Sequence, residues 1–196
     1  MLLCLVGSEM CIRDRRNMLA KMPGDDWQKL ANVRGLFAYM FTHPGKKTMF
    51  MGMELQWGEW DVWGDLEWHL LQSDAHQGMK RFFRELNYLY CSQPALYEQD
   101  CNEEGFQWID CSDNNHSVIS FIRRAKDEKD FVVAVCNFTP QPHSHYRIGV
   151  PEPGFYTEIF NSDAGNYGGS NMGNLGGKWT NDCLLYTSDA ADDIRC

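Results

Sequence analysis

The chain has 196 residues, a formal net charge of -9, a pI near 5.1 and 43% hydrophobic residues, the size and composition of one medium or two small globular domains. The acidic balance argues against nucleic acid or an anionic membrane as partner, because both need clustered Lys and Arg. No run approaches the roughly eighteen apolar residues of a membrane span, and Leu2–Val6 is too short and lacks the basic start of a signal peptide. Aromatics at 13% suit an uncharged polyhydroxylated ligand, since rings offer flat apolar faces with polar edges. Of eight cysteines, Cys4, Cys11, Cys183 and Cys196 lie near the ends, and Cys91, Cys101, Cys111 and Cys136 form no C-x-x-C pair. That spacing predicts reduced thiols in a cytosolic protein and no zinc site.

Residues 1–15 and the tail 183–196 have no periodicity that continues into their neighbours and look like translated adaptor, so both are set apart from the fold. Met22-Pro23-Gly24-Asp25 predicts a turn with Asp25 as N-cap of a helix from Asp26 to about Thr42. Trp27, Leu30, Ala31, Phe37, Ala38 and Phe41 form its apolar face, with Lys29 and Arg34 off it. His43-Pro44-Gly45 stops that helix.

The run Thr48-Met49-Phe50-Met51 predicts a strand at 47–51 buried on both faces, as in a parallel sheet covered by helices. Beyond its end stand Glu54, Gln56, Trp57, Glu59, Trp60, Asp61, Trp63, Asp65 and Trp68. An acidic, aromatic loop at the C-terminal end of a parallel strand is where α/β proteins place ligand sites. The indoles either meet a ligand there or cap the core beneath. Ser73 to Gln77 offers Asp74 and Gln77 as a capping-box-like helix start. Met79, Phe82, Phe83, Leu86, Leu89 and Tyr90 make the helix's core face, Lys80, Arg81, Arg84 and Glu85 its polar one, and Gln93-Pro94 closes it.

From Phe106 onward short β-branched and aromatic runs alternate with turn residues: Phe106–Asp110, Val118–Arg123, Phe131–Phe138, Tyr146–Val150 and Phe155–Phe160. Such punctuation predicts an antiparallel sandwich or barrel. From Asn161 to Gly177 the chain is rich in Gly and Asn, a long loop expected to be flexible unless something is bound.

MPGDDWQKLANVR, HPGKKTMFMGMEL, WGDLEWHLLQ, SQPALYEQD, GFQWIDCSDNNHSVISFIRR, VCNFTPQP and YGGSNMGN resemble the bacterial glycogen (1,4-α-glucan) branching-enzyme family of the α-amylase type, over roughly residues 16–178. The resemblance implies the last elements of a (β/α)8 TIM-type barrel (16–97) followed by an antiparallel β-sandwich C-terminal domain (98–182), both incomplete. It implies a retaining transglycosylase that moves an α-1,4-glucan segment to a 6-hydroxyl, with α-glucan as partner and no cofactor. The required nucleophile and acid/base carboxylates, about 5 Å apart, and a third aspartate all fall before the first helix, so no catalytic residue is carried over. Glu54, Gln56, Trp57, Glu59 and Trp60 are carried over as substrate-binding residues at the cleft rim. The family pattern is usually G-x-E-F-x-Q-W-x-E-W, and Met53-Glu54-Leu55 runs into Gln56 one residue short of it. Glu54 faces either ligand or the cation of a neighbouring strand; Asn166, Tyr167 and Asn171 are further candidates for glucan contact. A free-standing carbohydrate-binding module and another α-amylase-type enzyme are the competing readings.

Overall fold

The structure is a computed structural model, and it describes residues 18–55, 64–181 and 192–195. A single turn, α1 (Met18–Lys21), leads to α2 (Asp26–Thr42). The predicted cap forms in full. The Asp25 carboxylate accepts from the Gln28 N–H at 2.8 Å, and the Gln28 side-chain Oε1 accepts from the Asp25 N–H at 3.0 Å. The apolar face differs from expectation at both ends of the polarity scale. Trp27 is half exposed and donates its indole N–H to the Gly168 carbonyl at 2.7 Å. Arg34, assigned to the polar face, is buried between Leu30 and Phe37. Its position four residues after Leu30 and three before Phe37 puts it on the core stripe by helical geometry.

The strand predicted at 47–51 does not form. Residues 46–50 carry no regular structure, residues 51–55 form turns, and Thr48, Met49 and Phe50 are exposed. A two-face-buried strand needs a paired neighbour on each edge, and among the described residues none pairs with this run. Its backbone instead closes local bonds, Met53 N–H to the Phe50 carbonyl at 3.0 Å and Leu55 N–H to that of Gly52 at 2.9 Å. Lys47 anchors the base, donating to the carbonyls of His43 at 2.6 Å and Gly45 at 2.7 Å. Burial pushes its ammonium down to about 8, against the opposing pull of Asp100.

A 3-10 stretch, Trp68–Gln72, precedes α3 (Asp74–Ser92). Met79, Phe82, Phe83, Leu86 and Leu89 are buried as the periodicity predicts. The capping box is absent: Ser73 is the N-cap without a side-chain bond, and the Gln77 amide donates to the Leu71 carbonyl at 2.9 Å.

The β half forms two antiparallel sheets. One has the order β1 (Phe106–Asp113), β2 (Val118–Arg124), β3 (Phe131–Asn137). The other runs β4 (Arg147–Val150), β7 (Asp192–Arg195), β6 (Gly177–Asn181), β5 (Phe155–Thr157). Ile148 and Val150 of β4 pack with Val133, Tyr146 and Tyr156 between them. The run expected at 155–160 is a strand only to Thr157, after which Phe160 leaves the sheet and packs on the helices. β6 was not foreseen, and β7 lies inside the tail set apart as adaptor-like.

The main core joins both halves. Leu30, Val33, Phe37 and Phe41 of α2 meet Met79, Phe82, Phe83, Leu86 and Leu89 of α3, together with Leu96 and Tyr167. Arg123, fully buried on β2, donates to the carbonyls of Thr42 at 2.7 Å, Leu96 at 3.1 Å and Gly105 at 3.2 Å, and to Asp100 Oδ1 at 2.7 Å. The Thr42 bond satisfies one of the carbonyls that the end of α2 leaves open, with a cation at the negative end of the helix dipole.

Candidate functional site

Of the five predicted rim residues, Gln56, Trp57, Glu59 and Trp60 lie outside the described residues. Glu54 is described. It is half-buried in the turn after Gly52 and lines an open groove of about 570 Å³ between that turn and α3. The turn is fastened to the helix start by His76, whose Nδ1 bonds the Leu55 carbonyl at 2.8 Å. Lys80, Arg81 and Arg84 form the opposite wall, with Phe83, Leu71 and Met49 supplying apolar surface and Gln77 and Asn87 supplying amides. The cations that share this groove with Glu54 stand on a helix.

Retaining glycosyl transfer needs two carboxylates flanking the scissile bond. Glu54 is the one acidic residue among those lining this groove. Among the described residues no group of three or more His, Cys, Asp and Glu side chains is placed to hold a metal ion. The groove offers one carboxylate acceptor, amide donors and acceptors, and three cationic side chains.

The Asn166–Asn171 candidates have other duties. Tyr167 is a core residue, its ring 5.5 Å from that of Phe82 and 5.8 Å from that of Phe160, with its hydroxyl bonded to Glu85 Oε2. Burial, reinforced by that carboxylate, pushes the Tyr167 hydroxyl well above its ordinary pKa. The Asn166 carbonyl accepts from Arg81 at 2.8 Å, and the Asn171 side chain accepts from the Gly165 N–H at 3.3 Å.

The whole glycine-rich loop is organised on Asp163. Its carboxylate accepts from the N–H groups of Ser170 at 3.0 Å and Met172 at 3.2 Å and from the Ser170 hydroxyl, while its carbonyl accepts from Asn171 N–H at 2.7 Å. Arg34 reaches up from α2 to the carbonyls of Ser162 at 2.9 Å and Tyr167 at 3.2 Å, with Asp163 Oδ1 3.8 Å from its Nη2. The loop expected to be flexible is thus tied to both helices by their arginine side chains. The side chains that do this, Arg34, Arg81 and Asp163, were not singled out from the sequence. For Arg34 a signal existed in its spacing; for Asp163 the sequence offered only a polar residue among glycines.

Comparison with known proteins follows the same division. Residues 108–192 match the family described as "Alpha amylase, C-terminal all-beta domain", in agreement with the antiparallel sheets. Across helices and sheets together the chain is similar to "1,4-alpha-glucan branching enzyme GlgB" from several organisms. That of Trichodesmium erythraeum (strain IMS101) is 82% identical over 181 residues, 92% of this chain and 23% of that protein. That of Synechocystis sp. (strain ATCC 27184 / PCC 6803 / Kazusa) is 73% identical over 184 residues, 93% of this chain and 24% of the other. The Thermosynechococcus vestitus (strain NIES-2133 / IAM M-273 / BP-1) protein is 73% identical over 172 residues, 87% of this chain and 22% of its own length. The chain spans about a quarter of the length of the curated relatives it matches. The resemblance read from the sequence motifs is borne out.

Proposed function

We propose that this chain is a portion of a 1,4-α-glucan branching enzyme of glycogen biosynthesis, a cytoplasmic enzyme acting on α-glucan. The observation that carries this is the high identity running through nearly the whole chain, helices and β domain alike. On this reading the parent protein cleaves an α-1,4 bond, holds the glucan as a covalent glycosyl-enzyme, and passes it to a 6-hydroxyl. Residues 16–97 are the last part of its (β/α)8 barrel, and residues 98–182 belong to its C-terminal β domain. The two carboxylates of that chemistry are supplied by other parts of the parent. This portion contributes Glu54, Gln56, Trp57, Glu59 and Trp60 to the rim of the cleft. Glu54 accepts sugar hydroxyls there, and the indoles of Trp57 and Trp60 stack on hexose faces, contacts that salt screens little.

The test is a graft. The segment of the Synechocystis relative that matches this chain is replaced by the matching residues of this chain, and the chimera is assayed on amylose by iodine staining and debranching. We expect new α-1,6 linkages from the chimera and none from the isolated chain. A chimera that folds, by circular dichroism and gel filtration, yet forms no branches refutes the assignment.

A further inference from the structure

The turn between β1 and β2 and the connection from β3 to β4 bring two histidines together, His116 from the first and His143 from the second. Their ring centroids are 4.9 Å apart and their planes stand at 88°. In each ring one nitrogen is committed to an accepting oxygen. His116 Nδ1 lies 2.8 Å from Asp113 Oδ2 and 3.0 Å from Oδ1. His143 Nε2 lies 3.3 Å from the His116 carbonyl and 3.4 Å from the Thr139 hydroxyl oxygen, whose own proton goes to Asn137 Oδ1 at 2.7 Å. A neutral imidazole that donates from one nitrogen keeps its lone pair on the other. These bonds therefore leave the lone pairs on His116 Nε2 and His143 Nδ1. Asp113 is occupied as well, accepting from the Tyr146 hydroxyl at 2.8 Å and from the N–H groups of Asn115 at 3.2 Å and His116 at 3.1 Å. It stands behind His116 as an orienting group.

This arrangement selects a ligand class. Imidazoles whose opposite N–H is held by a carboxylate or a backbone carbonyl are arranged as metal-binding histidines are, because the second bond fixes the ring and raises the basicity of the free nitrogen. An ion bonded at about 2.0–2.1 Å to two imidazoles sets their centroids roughly 5 Å apart, and this pair has that spacing. Magnesium and calcium prefer all-oxygen shells, whereas imidazole nitrogen suits zinc, copper and nickel. The His116 side chain is half exposed, so an ion and its waters can reach the pair.

We propose that His116 and His143 form a site for a zinc-like divalent cation, with Asp113 and the His116 carbonyl as the groups that orient them and water completing the shell. The ion would tie the β1–β2 turn to the β3–β4 connection, where the chain passes from the first sheet to the second. Its role is to clamp the β half. The cysteine spacing that argued against a zinc centre does not bear on this site, which uses no thiolate.

The experiment uses the full 196-residue chain, with accessible thiols alkylated so that cysteine takes no metal. Zn(II) is titrated by calorimetry, and the melting temperature is read with and without the ion. One equivalent should bind and raise the melting temperature, because an ion that prefers the folded chain stabilises it. His116→Gln and His143→Gln should each weaken binding by at least about tenfold, and Asp113→Asn, which leaves both ligands in place, by about tenfold. His69→Gln, a change on the 3-10 stretch before α3, should leave affinity unchanged. Proton resonances of the unmutated chain give a reading that needs no variant to fold: those of the His116 and His143 rings should shift on adding Zn(II), and that of His69 should not. The site is overturned if no saturable binding occurs, if either ligand variant binds as the parent does, or if His69→Gln loses as much. Rings of His116 and His143 that do not respond to the ion overturn it too.

Discussion

Arg123 is the residue whose loss the fold should feel most. Its guanidinium is fully buried and makes bonds to four separate places in the chain, so removal leaves the Thr42, Leu96 and Gly105 carbonyls and one Asp100 oxygen without that donor. Arg123→Met fills the space but supplies no donor. We expect a loss of about 3 kcal/mol in urea unfolding, with Asp100 left to the Lys47 ammonium at 3.9 Å. Asp113 acts through pH instead. Its carboxyl is held down to about 2, first by the Tyr146 hydroxyl at 2.8 Å and then by the N–H and ring of His116. The folded value lies below the ordinary aspartate value of about 3.9. Its contribution to stability is therefore present above that value and lost as pH falls through 2. The melting temperature of the parent should fall toward that of Asp113→Asn between pH 5 and pH 2; a gap that stays constant across this interval would rule the linkage out. Arg123 was not visible as special from its neighbours in the chain, because what it bonds lies in other elements; Asp113 bonds the nearby Asn115 and His116, but its Tyr146 partner lies far along the chain. Arg34 differs: its spacing from Leu30 and Phe37 marked it as a core position, and only the habit of placing arginine outside concealed that.

Elements were legible where period and local chemistry agreed. The Asp25 cap and both long helices follow from spacing and a proline stop, and β2, with Ser120 to Arg123 all buried, follows from its apolar run. The run at 48–51 was misread because an apolar tetrapeptide specifies a strand only if other strands are present to pair with it. The glycine-rich loop was misread for the opposite reason, since its order comes from Asp163, Arg34 and Arg81 rather than from its own composition. Gly78 shows how closely loop and helix fit. It sits mid-helix, where glycine is unfavourable, and a Cβ built there would lie 2.8 Å from the Tyr167 carbonyl oxygen and 2.9 Å from its carbon. Gly78→Ala gains helix propensity yet must push the loop outward, with a net cost of about 1–3 kcal/mol. Faster proteolysis within residues 161–171 should accompany that loss; an alanine variant of equal or higher stability with an equally resistant loop would show the fit to be looser than described.

At the scale of the whole molecule, the division into residues 16–97 and 98–182 that the resemblance implies suggests a β half able to fold independently of the helical part. The packing argues otherwise. Leu96 and Tyr167 belong to the same buried cluster as α2 and α3, with Val132, Phe160 and Ala164 packed against it. Arg123 crosses from the sheet to the end of α2, Arg34 from α2 to the loop, and Tyr167 from the loop to α3. The second sheet has a small cluster of its own, centred on Ile148 and Val150, and so draws much of its support from the larger one. Cutting the chain near residue 97 would strip Phe160 and Tyr167 of their partners and leave Arg123 facing water where the helix end had been. The boundary proposed near residue 97 is thus not a boundary between two cooperative units. We therefore expect one unfolding transition, with helical ellipticity and the amide-exchange protection of β2 lost at the same denaturant concentration. An isolated 98–181 chain should show no cooperative melt. If the helical signal disappears well before β2 loses protection, or the isolated β segment melts sharply, the shared core is not what holds the two halves together.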